Sequence, residues 1–320
     1  MPTYINYNVS QGVNIGFTAV MIVPLSVIMC MSFYRARRNK DPARVTTTYF
    51  KVMLPFALLW LLMYTIQGIL SIVDLNAYDS SGYIYEASVR LSLLGTLFSY
   101  MTDLLQIMTL AELGNGFLFC VTQTRTGLQK AVRYAAIVSC GILAILAIAI
   151  FGIYNHIYST SYVYFNDNLY YAIRRMSAAF NILTLVWALL LLAFAATVFR
   201  KMKHNYVLKN SAVLFLVATI LNVITHLYEV IYLSIFVLAD YYPYTRYETY
   251  TALSFIDPVL TVWVYTAVVA LVFAVIIRKR NGLWTTLQPW MDEQGPPALA
   301  AMSGPKRPGE QWQQPPSYAV

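Results

Sequence analysis

Residues 211–238 read SAVLFLVATILNVITHLYEVIYLSIFVL. A helix needs about 20 apolar residues to cross the hydrocarbon core of a bilayer, and this stretch is longer than that. Its only acidic or basic side chains are His226 and Glu229. Thr219, Asn222, His226 and Glu229 follow one another at intervals of three, four and three, which aligns them along one face of a helix. A carboxyl group in hydrocarbon costs about 2.5–3.5 kcal/mol on the translocon scale. Glu229 therefore calls for a partner or a task, and His226, one turn away, can share a hydrogen bond or a proton with it.

Six further apolar runs of similar length surround this one, at about 13–33, 52–73, 91–119, 134–154, 177–199 and 251–277. The chain of 320 residues is 59% hydrophobic and 11% charged, whereas soluble domains carry about 25% charged residues. The expected fold class is all-α: a polytopic membrane protein of seven transmembrane helices. The third and sixth runs exceed a bilayer's need, which predicts tilt or extension beyond it.

Basic residues set the expected orientation. Arg35, Arg37, Arg38, Lys40, Arg44 and Lys51 flank the first connection. Arg125, Lys130 and Arg133 flank the third, Arg200, Lys201, Lys203 and Lys209 the fifth, and Arg278, Lys279 and Arg280 follow the last run. The opposite side has only Arg90, Arg174, Arg175 and Arg246. The positive-inside rule puts the N-terminus in the lumen or outside and the C-terminus in the cytosol. The net charge of +8 reflects these loops and the anionic lipid they face, so no nucleic acid is implied. The first run reads as an uncleaved signal anchor, since residues 1–10 lack a basic n-region. Asn8-Val9-Ser10 is a weak glycosylation sequon at Asn8.

The organisation is one seven-helix domain, residues 1–280, and a Pro-rich tail, residues 281–320, too polar to fold alone. Pro315-Pro316-Ser317-Tyr318 resembles the PPxY ligand of WW domains, which dock a polyproline helix in an aromatic groove. A WW-bearing ubiquitin ligase is the partner this implies, through Pro315, Pro316 and Tyr318.

Four acids fall inside the runs: Asp103, Glu112, Glu229 and Asp257. Ser99, Asp103 and Gln106 share one stripe of the third. Glu112, nine residues after Asp103, points to nearly the opposite side and reads as a structural contact, with Asn115 one turn on. Asp257 precedes Pro258 near the start of the seventh, and reads equally as a helix cap or as a group facing a cavity at a proline bend. A carboxyl group removed from water holds its proton more readily, which suits a general acid and suits proton transport. Tyrosine occurs 26 times, mostly toward the expected luminal side. That exceeds an interfacial belt and predicts a lid or vestibule. Deeper aromatics, among them Tyr100, Phe180, Tyr232, Trp263 and Tyr265, would line an apolar chamber and stabilise a passing cation.

Several classes are excluded. The last run has no lysine for a retinal Schiff base. The third ends Leu118-Phe119-Cys120-Val121-Thr122, with no acidic–Arg–aromatic triplet, which weakens the common receptor family but not divergent fungal receptors. The three histidines, His156, His204 and His226, lie at different expected depths, so no metal site is implied. No Asp-rich magnesium motif is present, which argues against ionisation of a diphosphate.

In its seven-span plan, size, intramembrane acids such as Asp103 and Glu229, and aromatic richness, the chain resembles the integral-membrane terpene cyclases of fungal meroterpenoid pathways, the group acting on farnesylated phenols and quinones. The resemblance covers the bundle and not the tail, and no short motif carries it, so no family site residue is transferred. It implies a cofactor-independent cyclase acting on a lipophilic prenylated small molecule or its terminal epoxide. On the residues, Asp103 or Glu229 would be the acid, His226 would orient Glu229 or take the final proton, and Asp257 is a further catalytic candidate. Asn222, Tyr232 and Trp263 are candidate substrate-lining groups. The alternatives are a divergent fungal seven-transmembrane receptor and a proton-coupled transporter. The enzyme reading points to the endoplasmic reticulum, the tail motif to the plasma membrane.

Overall fold

Without water to satisfy them, backbone amides and carbonyls in a bilayer must bond within their own segment, so apolar runs of this length become helices. The computed structural model describes residues 2–36, 41–76, 82–159, 167–203, 208–238, 254–278 and 282–285, and they form helices with no strand among them. Seven helical segments are long and apolar enough to span a membrane: Val9–Arg35, Pro42–Asp74, Tyr83–Thr122, Gly127–Tyr158, Leu169–Met202, Lys209–Ile235 and Ser254–Ile277. They coincide with the seven expected runs and extend most of them. The motif residues Pro315, Pro316 and Tyr318 lie outside the described residues.

The third span is the axis of the bundle. In its most apolar window 83% of residues are buried, against 17–50% in the others. The fourth span turns Ile142, Ile145 and Ile148 outward, and the fifth Leu189 and Leu190. Such faces suit hydrocarbon, where apolar side chains gain nothing by hiding.

Three irregularities shape the site. The first span is two helices, Pro2–Val20 and Ile22–Arg35, interrupted at Met21. Pro24 explains the break: it has no N–H for the Val20 carbonyl four residues back. The sixth span, Lys209–Tyr232, passes into a π-helical turn, Leu233–Leu238. The seventh has a π-helical turn, Val259–Trp263, directly after Pro258. Such wide turns recur at functional sites because they re-aim side chains and loosen the carbonyl ladder. Here the Thr225 hydroxyl of the sixth span donates to the Leu260 carbonyl at 3.1 Å.

The end of the bundle holding the first connection is closed by a clasp. Asp41 is fully buried, and its carboxylate accepts from the Ala43 amide at 2.9 Å and from the Thr285 amide and hydroxyl, each at 2.7 Å. Arg44 is buried, lies 3.8 Å over the Trp284 ring and donates to the Ile276 carbonyl. Leu283 and Trp284 are 3% and 4% exposed. Packing among the described residues therefore continues to Thr285. Arg44, one of the basic residues flanking the first connection, belongs to the packed structure.

Candidate functional site

The face expected on the sixth span is present. Thr219, Asn222 and His226 are buried, and His226 Nδ1 lies 2.9 Å from Glu229 Oε2. The His226 side chain is 3% exposed and that of Glu229 27%. The imidazole is thus sealed behind the carboxylate that it holds. Asn222 Oδ1 accepts from Gln106 Nε2 of the third span at 2.7 Å, which ties the two polar stripes together. Thr219 satisfies itself on the Leu216 carbonyl at 2.8 Å and adds nothing to the site.

One turn from Gln106, Asp103 remains partly exposed between the buried Thr102 and Leu104. Its carboxyl lies within charge–charge reach of both Glu229 and His226. Tyr100, three residues earlier on the same face, is also within reach of Asp103 and Glu229. Its ring packs on Phe180 of the fifth span, with centroids 4.2 Å apart. Tyr265 of the seventh span neighbours Asp103 and meets Trp60 edge to face at 5.6 Å. Asn222 Nδ2 and the Tyr265 hydroxyl are buried with no hydrogen-bond partner among the described residues. Natives leave few such atoms, and both stand close to the acids.

Asp257 bonds to side chains of neighbouring spans. The described residues before it, Ser254–Ile256, are already helical, so it lies inside the helix. Its Oδ1 accepts from the Tyr228 hydroxyl at 3.3 Å, and the Asn14 amide also bonds to it. Asn14 Oδ1 in turn accepts from the Tyr64 hydroxyl at 3.3 Å. Glu229 lies within charge–charge reach of Asp257 as well as Asp103. The three acids therefore form a polar seam from the third span through the sixth to the seventh.

Glu112 stands apart, as its phase required. It is buried and pairs with Arg133 Nε at 3.3 Å. The expected partner, Asn115, instead offers its carbonyl to Gln129 Nε2 at 3.3 Å. The candidate cation stabilisers lie farther out. Tyr232 is 36% exposed, with its ring 6.2 Å from that of Tyr228. Trp263 is 37% exposed, stacks on Phe17 at 5.6 Å and donates to the Phe17 carbonyl at 2.9 Å. Tyr228 bonds to Asp257, and Tyr100 and Tyr265 lie within charge–charge reach of Asp103. Asn8 belongs to the first helix, and its side chain is outside those described.

Asn14 and Gln106 are the polar contributors that the sequence reading underused. For Gln106 the signal was present, one turn from Asp103. Asn14 lies near the start of the first span with nothing local to mark it. Comparison with protein-family models, with curated proteins and with solved structures finds no match to this chain.

Proposed function

We propose that this protein is a membrane-bound cyclase that starts ring closure of a prenylated, epoxide-bearing amphiphile by delivering a proton. The observation that supports the reading most is the charge–charge proximity of Asp103 to the partly exposed Glu229 carboxyl, which is held by a His226 too buried to touch a substrate. In this reading Asp103 donates its proton to the epoxide oxygen, and the C–O bond opens as the nearest double bond attacks. The cation passes along the polyene beside Tyr100, Phe180 and Tyr265, whose ring faces favour positive charge. Loss of a proton from carbon to Glu229 ends the cascade with a new double bond, and proton exchange between the carboxyls resets the site. His226 is then a positioning residue, holding Glu229. This assigns His226 more narrowly than its spacing alone did. The orientation proposed is N-terminus luminal and C-terminus cytosolic, in the endoplasmic reticulum.

The test is turnover of a farnesylated phenol epoxide by sealed microsomes carrying the full chain, followed by product analysis. Asp103→Asn and Glu229→Gln should each lower cyclisation by about 10²–10⁴-fold, the usual worth of a general acid or base. His226→Gln, which keeps a donor for Glu229, should retain more turnover than His226→Leu. Full activity in both carboxyl variants would overturn the site assignment. The row of three acids also favours proton-coupled transport as a second reading. Uptake of the epoxide without conversion, sensitive to a proton gradient, would establish that reading instead. In the same vesicles a tag on the N-terminus should survive external protease and one on the C-terminus should not.

A further inference from the structure

Between the first, second and seventh spans lies a cavity of about 190 Å³ that adjoins the acid seam at Asn14. Its polar lining is Ser10, Gln11, Asn14, Tyr64, Gln67 and Ser254. No charged side chain is among its described lining residues. Burying an unpaired phosphate, carboxylate or ammonium there would leave an uncompensated charge, which is far costlier than burying a hydroxyl. The lining therefore selects a neutral guest.

The hydrogen-bonding state of the wall narrows the class further. Most polar atoms already have partners. The Ser10 and Ser254 hydroxyls contact each other, Tyr64 donates to Asn14, and Gln67 Nε2 donates to Ser71 at 3.1 Å. Gln11 Oε1 differs: it is buried and, among the described residues, accepts nothing. An acceptor left without a donor is expensive, and a guest that supplies an O–H removes that cost. The apolar side is formed by Ile15 and Gly68, where an added Cβ would come within 2.5 Å of Ile15 Cγ1. The flanking spans expose Val20, Ile66 and Ile69 on their outer faces, so a guest reaching this cavity from the bilayer must carry an apolar body.

We infer that this cavity binds the uncharged hydroxyl head of a neutral amphiphile, with the hydroxyl donating to Gln11. Binding here requires no reaction, so the site goes beyond the cyclase reading and does not depend on it. Asn14 links the cavity to Asp257, and through Asp257 to the neighbourhood of Glu229. A guest anchored at Gln11 would place its chain along the seam.

Three probes of equal chain length separate the possibilities: farnesol, farnesyl methyl ether and farnesyl phosphate. Each competes against a diazirine-bearing farnesol cross-linked to the full chain in detergent, with the labelled peptides mapped by mass spectrometry. Label should fall on the first, second and seventh spans. Farnesol should compete about tenfold better than the methyl ether, the worth of one well-placed hydrogen bond to a buried acceptor, and the phosphate should compete worst. Gln11→Leu should abolish the preference for farnesol over the ether while leaving the ether's own competition unchanged. If Gln11→Leu does not fold, Gln11→Met removes the acceptor with less change of shape. Equal competition by alcohol and ether, a preference that survives both variants, strongest competition by the phosphate, label confined to other spans, or no label at all would each overturn the proposal. Cyclisation measured on the same preparations separates the two ideas. A selective site without product keeps this inference and removes the enzyme. Product with no head-group selectivity does the reverse.

Discussion

The contact between Gln106 and Asn222 is, among the described residues, the hydrogen bond that joins the third and sixth spans at the level of the acids. Its two ends differ in what they lose when cut. Gln106→Leu leaves Asn222 with neither end paired, since Asn222 Nδ2 is already buried without a partner among the described residues. Asn222→Leu removes that orphan together with the bond and strands only the Gln106 amide. Side-chain hydrogen bonds between membrane helices average about 0.6 kcal/mol, with a maximum near 1.7. Gln106→Leu should therefore destabilise more than Asn222→Leu in equilibrium unfolding from mixed micelles. The double variant should be less unstable than the sum of the singles, by about 0.6–1.7 kcal/mol. Strict additivity would mean that the pair contributes no coupling between the spans. His226 and Glu229 illustrate the complementary case, where a three-residue interval on one helix let the sequence foretell the partner at 2.9 Å.

Elements explain which parts of the site could be read from the chain and which could not. Helical period is local, so same-face relations such as Asp103 with Gln106, and the opposition of Glu112, are fixed by residue intervals alone. Which helix lies opposite is not local. Arg133 looked like one of many topogenic loop charges, and only the antiparallel return of the fourth span brings it to Glu112 at 3.3 Å. The π-helical turn after Pro258 is a similar case: proline announces a disturbance, but not that Thr225 of a different helix will take the Leu260 carbonyl. Close approach of elements is equally invisible until they meet. A Cβ on Gly116 would lie 2.3 Å from the Ala43 carbonyl oxygen, whereas one on Gly114 would lie 2.3 Å from a ring carbon of Phe194. A ring can swing, but the Ala43 carbonyl belongs to the backbone held by Asp41 and Arg44. Gly116→Ala should therefore cost more stability than Gly114→Ala, with the former at the upper end of the roughly 1–3 kcal/mol typical of overpacking. Thermal unfolding in detergent measures both, and the reverse order would show that the clasp backbone yields more easily than the Phe194 ring.

At the scale of the whole molecule, the polar seam and the clasp lie in different parts of one bundle and share the third span. Near its middle that span carries Asp103 and Gln106. Farther along it takes the hydroxyl of Thr46 on the Thr109 carbonyl at 2.9 Å, and then packs Gly116 against Ala43. The first connection is thereby fixed to the same helix that carries the acids. The segment Gly282–Thr285 is fixed to that connection in turn, because Asp41 accepts both donors of Thr285. Trp284 completes the arrangement by donating to the Arg278 carbonyl at 3.2 Å beneath the Arg44 guanidinium. Asp41→Ala strands three donors, each worth about 0.5–1.5 kcal/mol net, and takes away a charge near the buried Arg44. Asp41→Asn keeps an acceptor for the backbone and should fall between. Arg44 lies buried within the clasp, so opening the clasp should expose the bond after it to trypsin without dismantling the spans. Cleavage there should be about tenfold faster in Asp41→Ala than in the native chain, the change expected when local opening becomes about 1.4 kcal/mol easier. Trp284→Ala should accelerate it as well, by loss of the stacked ring. Because the seven spans keep their own contacts, the temperature at which the bundle unfolds should fall by only a few degrees. Unchanged cleavage in both variants would mean that Gly282–Thr285 is held by the spans themselves and that Asp41 and Trp284 merely rest there.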